Sequence, residues 1–122
     1  MKDHRTHHRT PQVRPTNLLM PLILMSLQQW NSYGYELMQK TAAVWQEVVN
    51  PGTMYRMLSR MEENGDIEST WDTSKTGAAR KMYSITDVGE EYLELWMAAL
   101  RQHQRNTDAF LRLYYRLPNR DN

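Results

Sequence analysis

Apolar positions recur at helical spacing along the first half of the chain. Residues 17–27 are apolar on nearly all sides, which predicts a short buried helix. A second helix is predicted over roughly residues 32–43, with Tyr35, Met38 and Ala42 on one face. The side chains that can cap these helices are Thr16 or Asn17 for the first and Asn31 or Ser32 for the second. Because the connection is short, the two helices should pack side by side at an angle.

The third predicted helix has the best marked ends. In the segment "NPGTMYRMLSRMEENGDI", which begins at Asn50, the apolar residues at spacing i, i+3, i+4 and i+7 are Met54, Met57, Leu58 and Met61. Asn50 is a favourable N-cap, Pro51 suits the first helical position, and Gly65 supplies a left-handed stop. The pattern therefore predicts a helix over residues 51–64 that buries one face.

The pattern then changes from helical spacing to strict alternation. Residues 67–73 and 80–86 alternate between two faces, which is typical of two short strands. Gly77 lies in the segment between them and suits the tip of a turn. We therefore expect a β-hairpin after the third helix.

The last helix is predicted to be much longer than the others. Thr86 can cap it, and no proline follows until Pro118, so we expect a helix over residues 87–117 and a tail over residues 118–122. Its apolar seam consists of Tyr92, Leu95, Trp96, Ala99, His103, Phe110, Leu113, Tyr114 and Leu117. At ~45 Å, such a helix is longer than a domain of this size is wide. We therefore expect the exposed part of the seam to pair with a second chain in a homodimer.

This seam has two interpretations. Its side chains, with one or two residues of the first helix, either pack as a plain dimer interface or line a cavity between subunits that takes a small-molecule or polymer effector. The residues assigned to this interface or effector pocket are Leu18, Leu22, Tyr92, Leu95, Trp96, Ala99, His103 and Phe110.

Length and composition limit the class of protein. The 122 residues suffice for one domain, and the absence of cysteine excludes a disulfide framework. No apolar run approaches the ~20 residues of a membrane span, and the first fourteen residues lack the apolar region of a signal peptide. We therefore expect a soluble cytoplasmic protein.

The start of the chain is basic although the formal net charge of the whole is only +1. Residues 1–14 are predicted to form a disordered arm, because they are polar and have no hydrophobic period. The charged residues of this arm are Lys2, Arg5, Arg9 and Arg14 against Asp3. The arm is either a solubilising tail or a flexible cation that adds phosphate contacts.

Three helices followed by a β-hairpin is the element order of a winged helix-turn-helix, here over residues 15–86. In that architecture the third helix enters the major groove, and on this chain Thr53, Arg56 and Arg60 lie on the face opposite the methionines. Arginine is the commonest specific reader of guanine. The turn of the hairpin carries cations and a hydroxyl suited to phosphates: Lys75, Thr76, Arg80 and Lys81.

The same arginines have an alternative interpretation as part of a solvated helix face. Arg60 can pair with Glu63, and Arg56 can hydrogen-bond Ser59, although such pairs are worth only tenths of a kcal/mol. The acidic residues follow the arginines along the chain, and we expect them to face away from DNA: Glu62, Glu63, Asp66, Glu68 and Asp72.

Three blocks of the chain resemble the PadR family of bacterial transcriptional regulators. The third-helix segment resembles that family's Pro-Gly-Thr-Leu-Tyr start and Arg-Leu-Glu-Glu-x-Gly-Leu-Ile end. "YGYELMQK", from Tyr33, is similar to its His-Gly-Tyr-Glu-Leu segment, and "GAARKMYSITDVG", from Gly77, is similar to its wing. The match runs in order over residues 17–100 and implies a dimeric winged-helix repressor with a C-terminal dimerisation helix.

The resemblance also implies which side chains contact DNA. These are Tyr35, Thr53, Tyr55, Arg80 and Lys81; the spacing of Tyr55 puts it on the margin between core and surface. Arg56 stands where the family often has proline, so it can add a contact. Within the family, the first two helices resemble most the small regulators associated with polyhydroxybutyrate granule genes. In the drug-responsive branch a tryptophan on the last helix stacks planar ligands.

The fold class expected is therefore mainly α with a small β-hairpin, and the function expected is a repressor rather than an enzyme. No catalytic constellation, glycine-rich phosphate loop or metal-spaced motif is visible, so we expect neither metal nor cofactor. The expected partner is double-stranded DNA with an inverted repeat. We expect the protein to be associated with the nucleoid when it is bound, and an effector to release it from the DNA. The alternative is a winged-helix module that binds another protein without specific DNA binding.

Overall fold

The computed structural model describes residues 9–14, 17–45, 49–74 and 77–116. These residues form four helices and a three-stranded antiparallel sheet. In chain order the elements are α1 (Leu19–Gln29), β1 (Ser32–Tyr33), α2 (Gly34–Trp45), α3 (Pro51–Glu63), β2 (Ile67–Asp72), β3 (Arg80–Ile85) and α4 (Asp87–Arg116). The fold is therefore mainly helical with a small β component, as predicted.

Helix α1 is buried as its composition predicts, but it begins differently. Pro21 falls in the first turn, where its missing N–H breaks no helical bond. Leu18 occupies the N-cap position without a side-chain hydrogen bond. Asn17 instead accepts from the backbone N–H of Arg14 at 2.9 Å and donates to the carbonyl of Gln12 at 2.6 Å. The prediction that Asn17 caps this helix is wrong, and Thr16 lies outside the described residues.

The second predicted helix begins two residues late, because a short strand precedes it. Strand β1 pairs antiparallel with β3, Ser32 opposite Tyr83. Neither Asn31 nor Ser32 caps α2. The backbone N–H of Tyr33 instead donates to the Glu36 carboxylate at 2.9 Å.

The late start also changes which face of α2 is buried. Leu37 and Thr41 are fully buried. Tyr35, which the spacing grouped with Met38 and Ala42 on one face, is 44% exposed, whereas the other two are half-buried. Met38 packs on the edge of the core.

Helix α3 forms where its end signals predict it. The Asn50 side chain accepts from the backbone N–H groups of Gly52 at 2.7 Å and Thr53 at 3.3 Å, which satisfies two of the free donors at the helix start. Gly65 ends the turn after the helix with φ of +83°, in the left-handed region that favours glycine. Both predicted end signals are confirmed.

The buried residues of α3 form the centre of the hydrophobic core. Met54, Leu58 and Met61 are fully buried, and Met57 packs on the edge. Each buried side chain of this size stabilises the fold by roughly 1.5–3 kcal/mol. The other buried apolar residues of the cluster are Ile23, Leu24, Leu27, Leu37, Ile67, Tyr83, Leu93 and Trp96.

The predicted hairpin is the larger part of a sheet ordered β1-β3-β2. Strands β2 and β3 pair from Ile67 opposite Ile85 to Asp72 opposite Arg80. Gly77 lies in the turn with φ of +107°. The hairpin prediction is confirmed, and β1 adds a third strand that the sequence pattern did not indicate.

Helix α4 begins on the domain and continues beyond it. The Thr86 hydroxyl accepts from the backbone N–H of Gly89 at 3.0 Å, so the predicted cap is present. Leu93 and Trp96 are buried in the core, where α4 packs on α1. The apolar side chains on its later turns are exposed: Phe110, Leu111, Leu113, Tyr114 and Tyr115. Within the described residues no helix has the length and hydropathy needed to cross a bilayer.

Residues 9–14, which the sequence placed in a disordered arm, contact the domain. Arg9 forms an ion pair with the buried Asp66 at 2.6 Å, and its guanidinium lies 3.4 Å from the centre of the Tyr92 ring. Val13 packs against the core. The described part of the arm therefore differs from the expectation, because side chains far along the chain bind it. Residues 1–8 lie outside the described residues.

Candidate nucleic-acid interface

The exposed face of α3 carries the three polar residues that the sequence assigned to DNA. Thr53, Arg56 and Arg60 are all exposed, opposite the buried methionines. Arg56 Nη2 donates to the Thr53 hydroxyl at 3.4 Å, rather than to Ser59. Within the described residues, Arg60 forms neither an ion pair nor a side-chain hydrogen bond, so the alternative pair with Glu63 is not formed.

Tyr55 lies at the border between α3 and α2. It is 45% exposed, and its ring packs on Gly34, the first residue of α2. A Cβ atom at Gly34 would lie 2.6 Å from Tyr55 Cε1, so only glycine permits this approach without displacing the ring. The arrangement places the Tyr55 ring beside the wing, with the exposed part of the ring toward solvent.

The wing comprises β2, β3 and their turn, and an aromatic stack holds Arg80 at the end of the wing next to the turn. The rings of Tyr33 and Tyr35 are parallel, with their centres 5.7 Å apart. The Arg80 guanidinium lies 4.3 Å from the centre of the Tyr33 ring, and Arg80 Nη1 donates to the Tyr35 hydroxyl at 3.3 Å. Tyr35 and Arg80, both expected to contact DNA, are thus brought together.

Lys81 lies on the same surface, but a nearby carboxylate partly compensates its charge. Its Nζ is 3.7 Å from Glu62 Oε1 and 5.7 Å from the centre of the Trp71 ring, and Trp71 is 64% exposed. Lys75 and Thr76 lie outside the described residues.

Between α3 and the wing lies an open groove of about 360 Å³. Its lining combines aromatic rings with two cations of the wing: Tyr33, Tyr35, Tyr55, Trp71, Arg80 and Lys81. A groove of cations and flat rings beside an exposed arginine face can accommodate a sugar-phosphate backbone.

The Asp72 carboxylate, like that of Glu62, lies near this surface, contrary to the expectation that the acids face away from it. The Tyr33 hydroxyl donates to Asp72 Oδ2, while the Ser74 backbone N–H and hydroxyl donate to Asp72 Oδ1 at 2.9 and 2.6 Å. These bonds, from Ser74 first and Tyr33 next, lower the pKa of Asp72 well below its usual range. The bond to Asp72 in turn raises the pKa of Tyr33.

The residues assigned to an interface or effector pocket do not lie together: some are in the core, some line a groove and others are exposed on α4. Trp96 is buried in the core, with the Tyr92 ring 6.2 Å away in an edge arrangement. Leu18 and Leu22 line an apolar groove of about 140 Å³. The other residues that line it are Pro21, Met25, Val44, Met97 and Leu100.

The rest of that assigned set lies elsewhere on α4. Leu95 is 39% exposed and Ala99 is half-buried. His103 and Phe110 are exposed beyond the domain. Within this single chain, the set does not form one pocket.

Comparison with known proteins identifies the family. The model of the transcriptional regulator PadR-like family matches residues 23–95, and the chain belongs to that family. Its members are transcriptional regulators, a class distinct from enzymes.

Solved structures of similar fold agree. A PadR-like transcriptional regulator from Bacillus cereus is 34% identical, with a TM-score of 0.69 over 77% of this chain and 91% of that one. A PadR family regulator from Clostridium difficile is 31% identical, with a TM-score of 0.69 over 78% of this chain and 99% of that one. Bacillus subtilis PadR, solved in complex with operator DNA, shares the fold at 23% identity and a TM-score of 0.60, over 66% of this chain and 47% of that one.

Sequence reasoning missed Tyr33 and Asp72 on this surface. They are 39 positions apart, so no local spacing relates them. The strand register could have indicated Asp72, because the pairing of β2 with β3 places it opposite Arg80.

Proposed function

We propose that this protein is a sequence-specific DNA-binding repressor that acts as a homodimer on an inverted repeat. The observation that carries this proposal is the exposed face of α3, where Arg60 has no partner among the described residues and Arg56 holds only a weak bond. Both arginines extend from a helix whose opposite side is locked in the core. A rigid helix with free guanidinium groups suits base reading in the major groove.

The wing supplies the second half of the proposed contact. With α3 in the major groove, Arg80, Lys81 and Tyr35 lie beside the groove that would accommodate a backbone strand. Thr53 and Tyr55 add neutral donors at the α3 border. The complex of Bacillus subtilis PadR with operator DNA supports this use of the shared fold.

The homodimer is proposed from the surface that α4 exposes. Phe110, at 74%, and Tyr114, at 67%, are apolar or aromatic side chains standing in solvent beyond the domain. The apolar groove beside Leu22 offers a complementary surface. In this proposal residues 15–86 bind DNA and residues 87–117 join the two chains, so that two α3 helices enter successive major grooves ~34 Å apart.

Release by an effector is proposed only at a site formed by two chains. A groove of about 140 Å³ is small beside the ~300 Å³ or more of a typical ligand pocket. Trp96 is 3% exposed, so its ring is not free to stack a planar ligand in this conformation. The polyhydroxybutyrate-responsive branch stays a hypothesis for the effector class. The protein would act in the cytoplasm, on the nucleoid when bound.

Sedimentation and DNA-binding titrations test this proposal together. A duplex from the gene's own upstream region should bind more tightly than a scrambled duplex of the same length and composition, with a dimer as the bound species. The preference should persist at physiological salt, where non-specific contacts weaken. Equal affinity for both duplexes would favour the alternative, a winged-helix module that binds a protein.

A further inference from the structure

Tyr33 links all three strands of the sheet. Its backbone pairs with Met82 of β3, its ring lies beneath Arg80, and its hydroxyl donates to Asp72 at the end of β2. The side chain is 8% exposed, so it offers DNA little surface of its own. Whatever Tyr33 contributes to binding must therefore act through its neighbours.

The arrangement around Asp72 has an electrostatic consequence. Asp72 lies opposite Arg80 in the strand register and attracts it through space, yet the described residues contain no direct ion pair between them. The carboxylate is occupied instead by neutral donors, the Tyr33 hydroxyl and the two groups of Ser74. Arg80 is held by aromatic faces and by the Tyr35 hydroxyl, none of which carries a charge that cancels its own.

We propose that Tyr33 is a positioning residue that keeps the Asp72 carboxylate out of a direct ion pair with Arg80, so that the guanidinium stays free for a DNA phosphate. The inference rests on the proposed DNA binding and deepens it. Without the Tyr33 hydroxyl, the Asp72 carboxylate lacks one donor and turns to Arg80, which lies opposite it in the strand register. The wing then loses a phosphate contact although Arg80 itself is present.

Salt dependence distinguishes this role from a merely structural one. Each phosphate contact that a cation makes contributes about 0.9 to the slope of log K against log salt concentration. Tyr33→Phe should therefore reduce the magnitude of the slope by about 0.9 and weaken binding roughly three- to tenfold at low salt, and Arg80→Ala should have the same effect. A loss of packing alone would weaken binding without changing the number of counterions released.

The decisive variant adds Asp72→Asn to Tyr33→Phe. An asparagine cannot form an ion pair with Arg80, so the double variant should recover the wild-type slope. Thr41→Val is the control, since it removes a buried side-chain hydroxyl from α2, outside the wing, and should leave the slope unchanged. Fluorescence anisotropy with the upstream duplex at several salt concentrations gives all these slopes, and circular dichroism checks that each variant is folded.

Ser74→Ala covers the case in which Tyr33→Phe does not fold. Ser74 is exposed, and its hydroxyl donates to the same carboxylate, so the substitution should lower the slope in the same direction. The proposal is overturned if the folded variants among Tyr33→Phe and Ser74→Ala keep the wild-type slope, or if Asp72→Asn restores nothing. A different result would show that the proposed function itself is wrong: the wild-type protein would have no preference for the upstream duplex.

Discussion

Arg9 Nη2 lies 2.6 Å from Oδ1 of the fully buried Asp66, and this ion pair ties the N-terminal segment to the turn between α3 and β2. The carbonyl of Asp66 accepts from the backbone N–H of Thr86, at the residue before α4. The Arg9 guanidinium also stacks on Tyr92 of α4. The N-terminal segment therefore helps to hold the last helix against the DNA-binding part.

Arg9→Ala should destabilise the protein strongly. It leaves the buried Asp66 carboxylate unpaired, a change that typically costs ~3 kcal/mol or more. Urea unfolding at a fixed protein concentration measures the loss. Arg14→Ala is the control, because Arg14 is exposed and its side chain bonds only to Gln12 among the described residues, and its effect should stay within about 0.5 kcal/mol. Equal effects of the two substitutions would contradict a stabilising role for the ion pair.

Gly89→Ala should also destabilise, against the usual helix preference for alanine. A Cβ atom at Gly89 would lie 2.1 Å from the Asp66 carbonyl oxygen, so the start of α4 would have to move. We expect a loss of roughly 1–3 kcal/mol in the free energy of unfolding, where propensity alone would give a gain of about 1 kcal/mol. Glu91→Ala, exposed in the same turn, should have little effect. A stabilised Gly89→Ala variant would show that α4 packs less closely than described.

Removal of residues 1–8 tests whether the basic arm contacts phosphates. Lys2 and Arg5 would be lost while Arg9 keeps its contact with Asp66, so stability should be unchanged. The slope of log K against log salt should become flatter if the arm binds the backbone. An identical slope for the shortened and full chains would favour the solubilising tail. Removal of residues 1–14 is less informative, because it also removes Arg9.

The bond between Tyr33 and Asp72 predicts a defined pH window. The pKa of Tyr33 is raised, so the protonated hydroxyl is favoured in the fold; this stabilisation is present below about pH 10 and is lost as the pH rises through the raised pKa. The pKa of Asp72 is lowered, so its contribution is present above about pH 4 and is lost as the pH falls through the lowered pKa.

Carbon NMR of labelled tyrosine ζ-carbons can follow Tyr33 directly. Asp72→Asn should move the Tyr33 pKa back toward its ordinary value, because the largest cause of the shift is removed. Tyr83 serves as an internal control, since burial is the main cause that raises its pKa. A Tyr33 pKa that does not respond to Asp72→Asn would contradict the hydrogen bond.

Local signals in the sequence were sufficient for much of the fold. Asn50 and Gly65 mark α3 through interactions within a few residues, and Thr86 caps α4 in the same way. The alternation of residues 67–73 and 80–86 was enough to predict the hairpin. The exposed arginines on α3 follow from helical spacing, because the methionines fix which face is buried.

The remaining features depend on contacts between distant parts of the chain. Strand β1 forms because Ser32 pairs with Tyr83 of β3. Without that pairing, the local sequence predicts the start of a helix. The same pairing turned Tyr35 outward. Arg9 binds Asp66 across 57 positions, which no spacing within the basic arm indicates.

The most direct measurement of the central claim compares Arg60→Ala with Arg101→Ala in binding to the upstream duplex at physiological salt. Both substitutions remove one exposed positive charge, but only Arg60 lies on α3. Arg60→Ala should weaken binding by about 1–3 kcal/mol while helix content and the dimer are retained, and Arg101→Ala should bind as the wild type does. Unchanged affinity of the Arg60→Ala variant would contradict the assignment of α3 as the helix that reads DNA.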